Sequence, residues 1–313
     1  MAKKGFNKNM LQIKNLKKSY KNFPVLLGLN MSIEKGDVYG FLGTNGCGKT
    51  TTMNIICDII LKDEGEINFG SGAVKIGYLP ETPALYGYMN GCEYLDFIGA
   101  CCKYDGNIKA RTAEVLEITG MTGGAQRRIK GYSRGMNQRI GIAAALYGKP
   151  DLIILDEPTS ALDPEGRAEV MEIIRKLAES GSTIILCTHI LSDVERVANK
   201  IGIMRNGIIA AEGYLNEIKR RYEGGVALNI RVPEQTPEIV TALSKIPLAE
   251  RNDISKTGGI TVYAKEGIGE KEFYNNVIAV LSENDILPDS VAFKRMSLEE
   301  IYIGVTSGRL TNN

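Results

Sequence analysis

The sequence predicts an α/β fold built on a parallel sheet, with a helical insertion and a small α+β domain at its C-terminal end. Three observations carry that prediction. Short β-like runs alternate with helical stretches over residues 11–222. Two of these runs, 152–155 and 183–187, are apolar almost from end to end, as strands are when helices cover both faces of a parallel sheet. After Arg220-Arg221-Tyr222-Glu223-Gly224-Gly225 the pattern restarts, with Val226, Leu228, Ile230 and Val232 in strict alternation.

In chain order, an apolar run at 38–42 reads as a strand, and 50–60 as the helix that follows it. Residues 83–148 hold three helical stretches (93–104, 108–119 and 137–147) and no strand pattern, so they form a helical lobe inserted into the α/β core. Residues 164–180 have a helical period and stop at Gly181, a good helix terminator. Beyond residue 225, Thr236-Pro237 opens a helix as cap and first-turn proline. A strand at Ile260, Val262 and Ala264 and a helix through Phe273, Val277, Ile278 and Leu281 follow. The order β-α-β-β-α-β is that of a split βαβ domain. The expected domains are therefore 1–222, including the lobe at about 83–148, and 225–313.

A chain of 313 residues, 43% hydrophobic and 24% charged, is globular in composition. Lys plus Arg (38) nearly balances Asp plus Glu (37), so no overall charge argues for nucleic acid. Seven lysines do fall in the first 21 residues. A solvated N-terminal face is the favoured reading, and contact with anionic lipid headgroups the alternative. No run approaches the ~18 apolar residues of a membrane helix, and the charged start lacks the apolar core of a signal peptide. Cys47, Cys57, Cys92, Cys101, Cys102 and Cys187 show no CxxC or Cys/His spacing, which fits reduced thiols in a cytosolic protein.

Gly43-Thr44-Asn45-Gly46-Cys47-Gly48-Lys49-Thr50 fits GxxxxGK[ST] between a strand and a helix. Glycines let backbone N–H groups curl around phosphate oxygens, and the helix N-terminus adds partial positive charge. Lys49 can reach terminal phosphates and Thr50 can offer its hydroxyl to Mg²⁺. The expected nucleotide contacts in this loop are Gly43, Asn45, Gly46, Cys47, Gly48, Lys49, Thr50 and Thr51. Beside Lys49 and a helix N-terminus, Cys47 is in a setting that favours a thiolate; an inert filler of the loop is the other reading. The run at 152–155 ends in Asp156-Glu157-Pro158, at the ligand edge of a parallel sheet. There Asp156 can hold Mg²⁺ and Glu157 can polarise an attacking water. His189, the one histidine, follows the strand at 183–187 and should reach the same crevice.

In this order the motifs resemble the nucleotide-binding subunits of ABC transporters over about residues 11–215, which implies a P-loop NTPase fold. The resemblance makes Tyr20 the adenine-stacking aromatic, Gly43 to Thr50 Walker A, and Tyr132-Ser133-Arg134-Gly135-Met136 the signature. It makes Leu152 to Glu157 Walker B with its catalytic glutamate, Ser160-Ala161-Leu162-Asp163 the D-loop, and Thr188-His189 the switch. Ser133 and Gly135 are kept from LSGGQ, while Arg134 replaces a glycine, and Glu81 stands where a Q-loop glutamine is usual, near the Mg²⁺ site. Both departures, and a tail similar to Ser297-Leu298-Glu299-Glu300-Ile301-Tyr302, are familiar from exporter ATPases encoded apart from their membrane subunits. The resemblance implies ATP and Mg²⁺ as ligands and hydrolysis through Glu157 and His189. It also implies a head-to-tail dimer, of two copies or with a paralogue, in which Ser133, Gly135 and Asp163 complete the opposite site. An integral membrane permease is the implied partner, placing the subunit in the cytoplasm on the inner membrane face. An ABC ATPase without a transporter, a P-loop kinase and a poorly hydrolysing partner subunit are the competing readings.

Overall fold

A computed structural model describes residues 8–70, 72–222, 225–234, 236–254 and 259–310. The chain opens with two long strands, β1 (Asn9–Tyr20) and β2 (Phe23–Glu34), paired antiparallel as a hairpin. The strand β3 (Val38–Gly43) follows, buried at every residue, and feeds the helix α1 (Lys49–Ile56). The strand β4 (Glu64–Phe69) returns to β1, which makes a three-stranded antiparallel sheet β2-β1-β4. The sequence reading named neither β2 nor β4 nor this separate layer, because which strand pairs with which is a long-range choice.

Next come β5 (Ile76–Leu79), α2 (Gly91–Cys101), α3 (Ile108–Ile118) and α4 (Arg134–Leu146). No strand lies between β5 and α4, as expected for the lobe. Its first helix starts at a capping box in which Asn90 and Glu93 satisfy each other's backbone N–H groups. The third begins at Arg134, three residues before the sequence pattern did, because the side chain of Ser133 caps it.

Then β6 (Leu152–Asp156), α5 (Pro164–Glu179), β7 (Thr183–Cys187), α6 (Leu191–Val197), β8 (Lys200–Arg205) and β9 (Ile208–Tyr214) complete a six-stranded sheet. Its order is β5-β6-β7-β3-β8-β9, parallel except for the last pair. Tyr39, Phe41, Leu152, Ile154 and Ile185 sit at 0% exposure within it; each such side chain contributes about 1.5–3 kcal/mol of burial.

The helix α7 (Leu215–Tyr222) leads into β10 (Ala227–Arg231), α8 (Pro237–Ser244), β11 (Ala249–Ile254), β12 (Gly259–Ala264), α9 (Glu270–Glu283) and β13 (Ser290–Phe293). The four strands form one antiparallel sheet ordered β11-β12-β10-β13, the arrangement of a split βαβ domain. Leu228, Ile230, Ile260, Val262 and Phe273 make its core. A last helix, α10 (Leu298–Ser307), was not foreseen. Compactness divides the chain into one unit of Met1–Ile218 with Tyr302–Asn313 and a second of Lys219–Ile301. The second half of α10 thus belongs with the first unit, whereas the sequence reading gave everything after 225 to the second.

Of the N-terminal lysines, Lys17 pairs with Glu64 and Lys18 with Asp63, each at 2.7 Å; Lys3 and Lys4 lie outside the described residues. All six cysteines are free. No helix among the described residues is long and apolar enough to cross a membrane.

Candidate active site

The parallel strands β3, β6 and β7 end at the same edge of the sheet, so the residues just after them meet there. After β3 the chain turns through Gly46 at φ +79° and Gly48 at φ +113°, left-handed conformations suited to glycine. A side chain on Gly48 would lie 2.8 Å from both Leu26 and Met204. Gly48 is the cap residue of α1 and has no side chain to occupy the first N–H groups of that helix, which leaves them to an anion. Lys49 is buried and its Nζ donates to the carbonyl oxygens of Gly43 (2.8 Å) and Thr44 (3.2 Å). The ammonium is thus held folded over the loop by acceptors that a phosphate can replace.

From β6, Asp156 is 1% exposed and its Oδ2 accepts a hydrogen bond from Thr50 Oγ1 at 2.9 Å. Glu157 adopts φ +48°, which turns its carboxylate toward the end of β7. There Glu157 Oε1 lies 2.8 Å from His189 Nδ1, and Thr188 Oγ1 donates to Oε2 at 3.2 Å. A carboxylate only accepts, so the imidazole presents Nδ1–H to it. The loop after Glu157 is fastened to α6: Asp193 accepts from Thr159 Oγ1 at 2.7 Å and from Arg167 Nε and Nη2 at 2.9 and 2.7 Å.

These groups open into a cavity of about 450 Å³. Of the residues expected at the site, Asn45, Gly46, Gly48, Lys49, Thr50 and Thr51 line it, as do Glu81, Asp156, Glu157 and His189. Val25 and Ser160 line it as well. Ser160 stood inside the D-loop run, but nothing in the sequence marked Val25, an ordinary strand residue brought there by the hairpin. Tyr20 is outside this lining, at the end of β1 and 44% exposed. Gly43 supplies a carbonyl to Lys49 from behind the loop.

Cys47 also sits behind the loop, 9% exposed and packed into the core with Met204. Burial pushes its thiol up, against the lowering influence of Lys49. The side chain faces apolar atoms rather than the phosphate cavity, which favours the inert-filler reading over the thiolate.

Ser133, Gly135 and Asp163 line a different cavity, of about 390 Å³. Ser133 Oγ accepts from Met136 N at 3.2 Å and Asp163 Oδ1 from Gly166 N at 2.9 Å, capping α4 and α5. Within one chain these residues and the phosphate-binding loop thus line two cavities. Glu81 lines the phosphate cavity and a third cavity of about 500 Å³, with Lys130, Arg134, Asn137 and Gln138.

A phosphate-binding loop, a buried Asp paired with the Thr after its Lys, and a Glu held by His define a P-loop nucleotide-hydrolase site. A family model described as "ABC transporter" matches residues 26–160. The chain is 36% identical to the linearmycin resistance ATP-binding protein LnrL of Bacillus subtilis (strain 168), over 96% of this chain and 99% of that protein. It is 35% identical to the bacitracin transport ATP-binding protein BcrA of Enterococcus faecalis, over 68% of this chain and 71% of that one. Among solved structures it resembles MJ0796, titled as a dimeric bacterial ABC transporter cassette, with 27% identity and a TM-score of 0.59. That match covers 66% of this chain and 99% of the cassette. The chain belongs to the ATP-binding subunits of ABC transporters.

Proposed function

We propose that this subunit binds Mg²⁺-ATP between two cassettes, hydrolyses it, and so drives export through a separate integral membrane permease. The observation that carries this reading is the separation of half-sites. A γ-phosphate at Lys49 and Thr50 would occupy one cavity, whereas Ser133 and Gly135 of the same chain line another. A second copy, or a paralogue, turned head to tail would bring its own Ser133, Gly135 and Asp163 over that phosphate. The MJ0796 cassette is dimeric, which supports the arrangement. Resistance and transport in the relatives' names support export.

Thr50 Oγ1 and Asp156 Oδ2 are a hydroxyl–carboxylate pair, and such hard oxygen donors suit Mg²⁺. The described residues contain no cluster of three or more Asp, Glu, His or Cys able to hold a metal alone; Mg²⁺ in nucleotide sites takes one or two protein oxygens plus phosphates and waters. When bound, it neutralises charge between the β- and γ-phosphates. The chain's own groups do the rest. Lys49 exchanges its two carbonyl acceptors for phosphate oxygens. Water attacks the γ-phosphorus, its proton passes to the Glu157 carboxylate, and the bond to the ADP oxygen breaks to give ADP and phosphate. His189 Nδ1–H and Thr188 Oγ1 hold that carboxylate in line. Loss of the γ-phosphate removes what joins the two cassettes, and they part.

On this reading the permease docks at the cavity lined by Glu81, Pro83, Lys130 and Arg134. Beside it Tyr86, Tyr88 and Phe97 are 42%, 66% and 40% exposed, an aromatic patch of the kind that marks interaction surfaces. The subunit then works in the cytoplasm, on the inner face of the membrane. The test is Glu157→Gln with light scattering, with and without Mg²⁺-ATP, beside wild-type hydrolysis. An ATP-dependent monomer-to-dimer shift with wild-type turnover is expected. A monomer in both conditions excludes the homodimer and directs the search to a paralogous partner.

A further inference from the structure

The last turns of α10 end against the strand that supports the phosphate-binding loop. The helix stops at Gly308 (φ +78°), where the N–H groups of Arg309 and Leu310 return to the carbonyl of Gly304, both at 2.9 Å. Leu310 folds over Gly304 so closely that a side chain there would lie 2.4 Å from it. This is a glycine-terminated helix end with its apolar contact. Arg205, the last residue of β8, meets that end. Its Nη1 donates to the Val305 carbonyl at 3.4 Å, and its guanidinium lies 2.6 Å from where a side chain on Gly308 would start. A cation at a helix C-terminus is favoured by the helix dipole, and Val305 itself is 1% exposed.

The residue before Arg205 is the floor of the phosphate loop. The Met204 methyl is 2.8 Å from the position of a side chain on Gly48, and its carbonyl 3.0 Å from that on Gly43. Cys47 Sγ fills the same space behind Gly43.

We propose that residues 302–310 brace the back of the phosphate-binding loop through Arg205 and Met204, and so set the affinity of the cassette for nucleotide. Arg205 is a positioning residue; it does not line the phosphate cavity. Without the brace the loop samples conformations that must be reordered when phosphate binds, and the population able to bind shrinks. Once nucleotide is seated, the catalytic groups are unaffected. Because α10 starts in the other unit, at Leu298–Ile301, the brace is also the covalent end of that unit.

The experiment is nucleotide titration by calorimetry on the full chain, which does not depend on hydrolysis. The variants are Arg205→Gln, Arg205→Lys and Gly308→Ala. Arg205→Gln and Gly308→Ala should raise the Kd for Mg²⁺-ATP about fivefold or more, while Arg205→Lys, which keeps the cation, stays within about twofold of the parent. In steady-state assays the loss falls on KM with kcat retained. A role in stability alone would lower the melting temperature and leave Kd unchanged, and that result overturns the proposal. So does an equal loss in Arg205→Lys and Arg205→Gln. If either weakened variant fails to fold, Leu310→Ala, which removes the apolar contact at the helix end, is judged on the same Kd criterion. A parent that binds ATP without hydrolysing it would refute the proposed function and leave this test intact.

Discussion

Gly77→Ala should loosen the joint between the sheet and the signature helix. Gly77 lies on β5, and a side chain built there would be 2.1 Å from the Ala145 carbonyl oxygen, 2.9 Å from its carbon and 3.0 Å from Pro150. An ordinary carbon–oxygen contact is about 3.2 Å or more, so α4 or β5 must yield by roughly 1 Å, which overpacking data put at about 1–3 kcal/mol. The upper half of that range applies because the neighbour is backbone, and backbone already clamped. The buried guanidinium of Arg111 donates from Nε to Tyr147 O at 2.9 Å and from Nη2 to Leu146 O, so the end of α4 is held from its other side. For a unit of this size each kcal/mol moves the transition by about 2–4 °C, giving a fall of about 5–10 °C. Calorimetry against Gly123→Ala is the assay, since a side chain at Gly123 meets nothing within 4 Å. Equal melting temperatures for the two variants would refute the reasoning.

Removing the imidazole in His189→Ala should lower kcat about 10²–10³-fold, the usual range for a disturbed general base. ATP affinity by titration should hold, because the ring meets Glu157 rather than the loop; a kcat within threefold of the parent would contradict this role. Burial pushes the Cys57 thiol from 9.0 up to about 12. The unfolded chain then releases that proton first as pH rises, so the contribution is complete below about pH 9 and is lost above it. The slope is at most about 1.4 kcal/mol per pH unit, and less for a partly exposed group. Thermal melts from pH 8 to 10.5 should therefore decline less steeply in Cys57→Ala. Iodoacetamide at pH 8 should modify exposed Cys101 and Cys102 and spare buried Cys47. Rapid labelling of Cys47, blocked by Mg²⁺-ATP, would restore the thiolate reading.

What the sequence revealed and what it hid divide along contact distance. Lys49 and Thr50 were legible because their roles follow from neighbours within a few residues and from the strand before and the helix after. The buried strands β6 and β7 were legible because a run without polar residues leaves them one environment. Val25 was not, since its place in the phosphate cavity depends on the hairpin of β1 and β2 lying over the loop. Cys47 was left open for a related reason. Its neighbours in sequence include the cation that lowers a thiol, but its neighbours in space include Met204 and the core, and their desolvation is the larger effect. The end of α10 was hidden because Arg205 and Val305 are a hundred residues apart.

Asp156 and Glu157 are adjacent carboxylates, and the structure gives a physical reason for their different surroundings. Asp156 ends β6 in extended conformation, and its side chain meets Thr50 on the phosphate side. One residue later the backbone takes φ +48°, a left-handed conformation that costs a non-glycine residue about 1–2 kcal/mol. The neighbours over-determine it: Glu157 N–H donates to Cys187 O at 2.8 Å, and Ser160 N–H donates to Glu157 O at 3.1 Å. A continued extended strand would send consecutive side chains to opposite faces and carry the Glu157 carboxylate away from the end of β7. The reversal brings it to Thr188 and His189 instead. Glycine would fit this backbone without strain but carries no carboxylate. A glutamate held in glycine's conformation, with both its oxygens engaged, is therefore fixed at the end of β7 at the expense of local stability.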